Sequence, residues 1–361
     1  MQIAFWIAGA LLVLLLLAAG IGGYGLYYFA IRRDDRRTNN AWDEPLKRYN
    51  DTTDEEYAKI QEGEAFLKGR MAEFVSIESR DGLRLWARYF AHPAQRGIFL
   101  MVHGYRSSSI ADFSGAVLQV WNMGYSLFMI DQRAMGRSEG KAMCFGVKER
   151  YDVIDWAKYL KERFPDTPVV ADGVSMGAGT VLYACGAGWP DNVKAVIADC
   201  GFSSPGAICR KCMKQWFHLP AFPIYYAAKL WTRLLAGFDL DSIDAKDCLA
   251  KLKDRSLYKK PLPILLAHGR VDGFVPYSMS EENMKAFGPE DTFAELFTSE
   301  TADHGMAFIR DNDGYMAAIG RLFDKAGLLH DPVKVEEFVP ETPVEELTRP
   351  DLEAGQIFTV N

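Results

Sequence analysis

Three residues in this chain have the types and context for acyl-transfer chemistry: Ser175, Asp272 and His304. Ser175 stands in Gly173-Val174-Ser175-Met176-Gly177, after the apolar run Val169-Val170-Ala171 and before the helix-compatible Thr180-Val181-Leu182-Tyr183-Ala184. A serine on a sharp strand-to-helix turn needs small neighbours, which Gly173 and Gly177 supply, and such a turn lifts the hydroxyl to the edge of a sheet as a nucleophile. A neutral hydroxyl reacts slowly unless a base accepts its proton and a carboxylate orients that base. In this arrangement the acid and the base follow the serine, in that order.

The histidines after Ser175 are His218, His268, His304 and His330. His304, in Thr301-Ala-Asp-His-Gly-Met306, follows the last predicted strand with a glycine beside it, which makes it the expected base. His268 ends a strand in Leu265-Leu-Ala-His-Gly269 and is expected to stabilise a turn, as is His103 earlier in the chain. For the acid, Asp272 projects from the carboxyl edge of its strand, where parallel sheets present ligands. Asp199 is its rival, with capping at a loop entrance as its plainer role. Asp303 adjoins His304 and is badly placed to face the ring. The tetrahedral intermediate needs backbone N–H donors, and Met176 and Tyr105 are the expected pair, Tyr105 lying in His103-Gly104-Tyr105-Arg106-Ser107. Ser107, Ser108 and Ser109 lack flanking glycines of the kind around Ser175.

The elements that must position these groups follow from the pattern. Residues 74–90 alternate around Asp81-Gly82, a hairpin signal. Short apolar runs at 98–102, 126–130, 169–171, 193–198, 264–267 and 294–298 predict buried strands, with helices such as 147–164 and 179–185 between them. This is the pattern of a mostly parallel sheet covered on both faces. We divide the chain into an apolar N-terminal segment (1–31), a polar connector (32–70) helical over 55–67, a core in two parts (71–200 and 261–330), a helical cap (201–260) and an acidic tail (331–361). The cap is too long for an ordinary connection, and Trp216, Phe217, Phe222, Tyr225, Tyr226, Trp231 and Phe238 predict an apolar wall. The tail has four prolines, eight acidic and two basic residues, so it is expected to be flexible.

Residues 3–31 carry no charge, more than the roughly 20 residues a bilayer core requires. The run is long for a signal-peptide core of about 7–15 residues, and Trp6, Tyr24, Tyr27 and Tyr28 lie where interfacial aromatics belong. An uncleaved single-pass anchor is therefore expected. Arg32, Arg33, Arg36 and Arg37 follow it, which by the positive-inside rule places the catalytic body in the cytoplasm. The net charge of −7 and the lack of a later basic block give nucleic-acid binding no support. Six cysteines without a disulfide pattern lean towards a reducing compartment. Cys209-x-x-Cys212 has no second pair at zinc spacing, and its thiols are expected to pack as small hydrophobes.

His103-Gly104, Asp131-Gln-Arg-Ala-Met-Gly136-Arg-Ser138-Glu-Gly140, Gly173-x-Ser175-x-Gly177, His268-Gly-x-x-Asp272 and Asp303-His304-Gly305 occur in order. Together they resemble the α/β-hydrolase superfamily, and more narrowly its membrane-anchored bacterial serine hydrolases of the serine-aminopeptidase and acylglycerol-lipase-like branch, over about residues 74–328. The resemblance implies an α/β-hydrolase fold with Ser175 as nucleophile, His304 as base, Asp272 as its orienting acid, and Tyr105 and Met176 as oxyanion donors, with no cofactor and no metal. Ala134 and Met135 depart from the glycine and histidine common in relatives, which touches loop packing. The expected activity is hydrolysis of carboxylic esters with moderately apolar acyl groups, the bilayer engaged through 3–31 and no obligate protein partner. A serine peptidase acting on short peptides is the alternative, with Asp239, Asp241, Asp244 and Asp247 as candidates to hold an amine. A catalytically inactive tethered interaction protein is the alternative from another class.

Overall fold

The computed structural model describes residues 2–34, 52–216, 218, 221–333 and 357–359. Asp35, Arg36, Arg37 and most of the polar connector, Phe217 of the cap, and residues 334–356 of the tail lie outside the described residues.

The chain opens with helix α1 (Gln2–Leu26), continued by a wider turn over Tyr27–Ile31. Thr53 then starts α2 (Asp54–Lys68) with a reciprocal cap: its hydroxyl accepts from Glu56 N–H while the Glu56 carboxylate accepts from Thr53 N–H. This satisfies two of the donors a helix start leaves open.

Strands β1 (Glu73–Glu78) and β2 (Arg84–Phe90) form the predicted hairpin, pairing antiparallel from Glu73↔Tyr89 to Glu78↔Arg84. Then come β3 (Gly97–Val102), the short helices α3 (Ser109–Phe113) and α4 (Val117–Asn122), β4 (Tyr125–Asp131), α5 (Glu149–Arg163), β5 (Val169–Val174), α6 (Met176–Ala187) and β6 (Val193–Asp199). Helices α7 (Pro205–Trp216), α8 (Ile224–Ala236) and α9 (Ala245–Ala250) occupy the expected cap segment. The chain returns through β7 (Ile264–Gly269), α10 (Ser278–Met284), β8 (Ala294–Ser299), α11 (Ala307–Arg310) and α12 (Asn312–Ala326).

The sheet order is β8-β7-β6-β5-β3-β4-β2-β1, parallel from β8 to β4, with β2 antiparallel to β4. Every residue of β3, β4 and β7 is buried, which is why these strands read as continuous apolar runs rather than alternating ones. Alternate side chains feed two cores. One, under α5, α6 and the cap, holds Ile98, Leu100, Trp156 and Val181. The other, under α3, α4 and α12, holds Phe99, Met101, Val170 and Phe323.

Two expectations need revision. The tail does not leave the body at 331: Arg96 binds Asp331, and Val333 N–H donates to Asn122 O. Ile357–Thr359 then form β9, parallel to β1 at the exposed edge of the sheet. A strand edge presents unpaired N–H and C=O groups that a few extended residues can satisfy whatever their net charge. Asp199's side chain caps no helix or loop among the described residues; it is buried beside Tyr315, and its Oδ1 has no hydrogen-bond partner among them.

Candidate active site

Ser175 sits between β5 and α6 with φ +56° and ψ −112°. That is a region L-residues avoid, at a cost on the order of 1–3 kcal/mol that surrounding packing must offset. The glycines make the turn possible. A Cβ on Gly173 would lie 2.4 Å from Gly177 O, and one on Gly177 would lie 1.8 Å from Val102 O. The close approach is therefore between three backbones: the end of β3, the end of β5 and the start of α6. Ser175 N–H donates to Asp199 O, which ties the turn to β6.

The structure brings the three expected residues together. His304 Nε2 lies 2.9 Å from Ser175 Oγ, and His304 Nδ1 lies 2.7 Å from Asp272 Oδ2. The other Asp272 oxygen accepts the N–H groups of Phe274 and Val275 at 2.8 and 2.7 Å. Burial alone would raise the Asp272 carboxyl, but hydrogen bonds from His268 and His304 hold it well below the usual carboxylate range. It is thus a fixed negative charge beside the imidazole, the condition for holding one tautomer and stabilising an imidazolium. Asp303 does not face the ring; its Oδ1 accepts from Gly273 N–H and His304 N–H, which clamps the acid-bearing loop to the histidine loop. His218 is exposed, and His330 faces Asp324 at the surface.

His268 and His103 occupy the turn-locking positions expected of them. His268 Nε2 meets Val275 O at 2.9 Å and Asp272 Oδ2 at 3.2 Å, while its Nδ1 meets Ser280 Oγ at 2.6 Å. His103 Nε2 accepts from Gln132 N–H, binding the loop after β3 to the loop after β4. In that second loop Asp131 accepts from Arg88 and Arg137 N–H, and Arg133 is shared between Asp152 and Asp81. Ala134 has φ +61°, the conformation for which glycine is suited.

Met176 opens α6, so its N–H is among those a helix start leaves unsatisfied. Gly104 brings the β3 loop to the serine: a Cβ there would lie 3.2 Å from Ser175 Cβ. Tyr105 follows immediately. Two further residues shape this loop without any signal in the sequence. The Asp112 carboxylate is half-buried, accepting from Gly104 N–H and Ser107 Oγ at 2.5 Å each. Burial raises its pKa, while those two bonds pull the other way. The second residue is Ala30, whose carbonyl accepts from the Tyr105 phenol.

Cys200 is the remaining unannounced neighbour, its Sγ 4.0 Å from His304 Nε2 and its backbone at φ +48°. Cys200, Asp272 and His304 offer ligand atoms within 4.8 Å of one another. As a metal set they fit poorly: both imidazole nitrogens already face oxygen partners, and burial pushes the Cys200 thiol well above its usual range, away from the thiolate a metal takes. Cys209 and Cys212 pack against the apolar core, as small hydrophobes do.

Residues 97–222 match the family described as alpha/beta hydrolase fold. Uncharacterized protein YqkD of Bacillus subtilis (strain 168) is 24% identical over 205 residues, covering 56% of this chain and 63% of its own. Uncharacterized protein YfhR of Escherichia coli (strain K12) is 24% identical over 217 residues, covering 58% and 66%. The chain thus spans less than two thirds of the length of these curated relatives. Among solved structures, the Pyrococcus furiosus esterase Pf2001 superposes with a TM-score of 0.56 at 21% identity, over 78% of this chain and 96% of that one. An acylaminoacyl peptidase in complex with a chloromethyl ketone gives 0.50 at 14% identity, over 77% of this chain and 44% of that one. The matched core segment and the sheet topology show that this chain has an α/β-hydrolase fold.

Proposed function

We propose that this protein is a membrane-anchored serine hydrolase that cleaves carboxylic esters of moderately apolar acyl groups through an acyl-enzyme. The observation that carries the reading is the continuous relay from Asp272 through His304 to Ser175, at 2.7 and 2.9 Å. Ser175 Oγ attacks the ester carbonyl as His304 Nε2 takes its proton. Asp272 stabilises the imidazolium, and the N–H groups of Tyr105 and Met176 receive the developing oxyanion. His304 returns the proton to the leaving alkoxide, and water repeats the sequence to release the acid.

The state of three of the four acidic cap residues, Asp247 excepted, favours esters over a free peptide amine. Asp239 and Asp241 are engaged by Lys229, with Arg233 on Asp239 and Arg210 on Asp241. Asp244 caps α9 through Lys246 N–H. A carboxylate already neutralised by a cation has little left to offer an ammonium group.

Anchoring draws support from the two halves of the N-terminal helix. Residues 2–18 are exposed and, Gln2 apart, apolar, and at 1.5 Å per residue they extend about 25 Å, close to a bilayer's hydrocarbon thickness of about 30 Å. Tyr27 and Ile31, in contrast, are buried in the hydrolase core. Only a cleavage that removed the whole run, through Ile31, would take these two side chains out of the core. Arg32 and Arg33, directly after the span, support a cytoplasmic body by the positive-inside rule.

Labelling with a fluorophosphonate tests the chemistry. Wild-type protein labels, while Ser175→Ala and His304→Ala do not. Folded wild-type protein that stays unlabelled would leave the interaction-protein reading standing. A panel of p-nitrophenyl esters against aminoacyl amides then separates esterase from peptidase.

A further inference from the structure

Helix α8 packs along the inner end of α1. Gly22 faces Ile224, and a Cβ on Gly23 would lie 2.5 Å from Ala228 N. Trp231 Nε1 donates to Gly20 O at 2.9 Å, and the Trp231 ring packs edge-on against Tyr24. These contacts span α8 from Ile224 to Trp231 and α1 from Gly20 to Tyr24. The packed segment thus begins right beside the level at which α1 sheds its protein contacts, just before Ala19.

Around α8 the surroundings change in sectors. Tyr225, Ala228 and Thr232 are buried against the body, and Ala227, Ala228 and Trp231 face α1. Lys229 and Arg233 form a polar edge, held by Asp239 and Asp241. Between that edge and α1 lies an uncovered stripe, Tyr226, Leu230 and Leu234, exposed by 59, 55 and 66% at four-residue spacing. A soluble surface does not gain by showing three large apolar side chains in a row. A stripe with one flank on a membrane span and an ion-paired polar edge on the other has the makeup of a helix lying in the headgroup–acyl boundary.

We propose that this face of α8 lies in the lipid surface beside the anchor, and that the ester substrate is drawn from the bilayer itself. The proposal rests on the anchored-esterase reading above. The site is close enough for such transfer: Tyr105 bonds to Ala30, ten residues beyond Gly20 and so about 15 Å along the helix axis. The lining near Tyr105 is apolar, with Met135, Met143 and Phe145 around its ring.

The test uses the full chain reconstituted in phosphatidylcholine vesicles with brominated acyl chains. An environment-sensitive fluorescent amino acid replaces Leu14, Leu230, Leu234 or, as a control on the opposite face, the exposed Ala317 of α12. Quenching at 14, 230 and 234 but not at 317 is the expected result. Quenching at 14 alone would overturn the proposal and leave the anchor standing. No quenching at 14 would remove the anchor reading, with positions 230 and 234 still deciding this one. If 230 and 234 stay bright and cross-link between copies, the stripe is a dimer face and the proposal fails. For the substrate, Leu230→Asp/Leu234→Asp is assayed on p-nitrophenyl butyrate in detergent and on p-nitrophenyl palmitate dissolved in vesicles. Butyrate hydrolysis within twofold of wild type, with palmitate hydrolysis down at least tenfold, supports bilayer delivery; equal retention on both overturns it.

Discussion

The phenol of Tyr105 donates to the carbonyl of Ala30 at 2.9 Å, which fastens the loop of an expected oxyanion donor to the last turn of the apolar N-terminal helix. A helix leaves its final carbonyls without intrahelical partners. Here the neighbouring loop supplies the donors, since Arg106 also reaches Phe29 O and Arg32 O at 2.7 and 3.1 Å. Removing the phenol oxygen forfeits one hydrogen bond, about 1 kcal/mol, and loosens a loop whose N–H we propose as an oxyanion donor. Tyr105→Phe should lower kcat on a soluble ester by roughly five- to tenfold with KM within twofold. Steady-state kinetics check this; an unchanged kcat would show that the link is structural only.

The N-terminal helix divides into a part the body ignores and a part it uses. Deleting residues 2–18, which are exposed, should leave the melting temperature of the detergent-solubilised protein within about 2 °C. Deleting residues 2–33 removes Tyr27 and Ile31 from the core and takes the Ala30 carbonyl from Tyr105 and the Phe29 and Arg32 carbonyls from Arg106. Burial of two such side chains contributes about 3–6 kcal/mol, so that deletion should unfold or sharply destabilise the protein. Calorimetry of the two truncations separates the cases, and equal melting temperatures would refute the division.

Glycine is required at one turn and missing at another. Gly177→Ala forces a methyl group to 1.8 Å from Val102 O, so we expect a loss of several kcal/mol or no soluble protein. Ala134, at φ +61°, carries strain of about 1 kcal/mol that glycine would relieve. Ala134→Gly should therefore be neutral or stabilising by up to about 1 kcal/mol, despite the added freedom of the unfolded chain. Chemical denaturation measures both, and a marked loss in Ala134→Gly would show that its methyl packing outweighs the strain.

Asp172 and Asp199 lie buried on the same face of adjacent strands, below the serine turn. Burial pushes Asp199 from 3.8 up to about 6, against the pull of His268 and His304, and burial together with Asp199 pushes Asp172 well above its usual range. The folded state then binds more protons than the unfolded one between the two values, so stability falls as pH rises through about 4 to 6. Asp199→Asn abolishes that share of the slope. It should raise the melting temperature at pH 7 by roughly 3 °C or more and leave it nearly unchanged at pH 3.5. A variant less stable at pH 7 would mean that the ionised form of Asp199 is stabilised in the folded protein.

The fold and the three central residues were legible in the sequence for local reasons. Fully buried parallel strands must be short apolar runs, and a serine held at positive φ between β5 and α6 needs Gly173 and Gly177. The last loops of the sheet hold one well-placed aspartate and one well-placed histidine, Asp272 and His304. The sequence likewise exposes the length and apolarity of residues 3–31, whatever they pack against. Tertiary structure alone decided the rest, because it depends on which backbones meet. No local pattern announces that Ala30 will accept a bond from Tyr105, that Asp112 will hold Gly104, or that Cys200 will stand 4.0 Å from the imidazole. Nor does periodicity reveal that Gly20–Gly23 will seat a cap helix; glycine there reads as apolar filler until a partner arrives. Composition predicted a free tail from Asp331, yet pairing at a sheet edge needs only backbone N–H and C=O groups, which every residue but proline supplies in full.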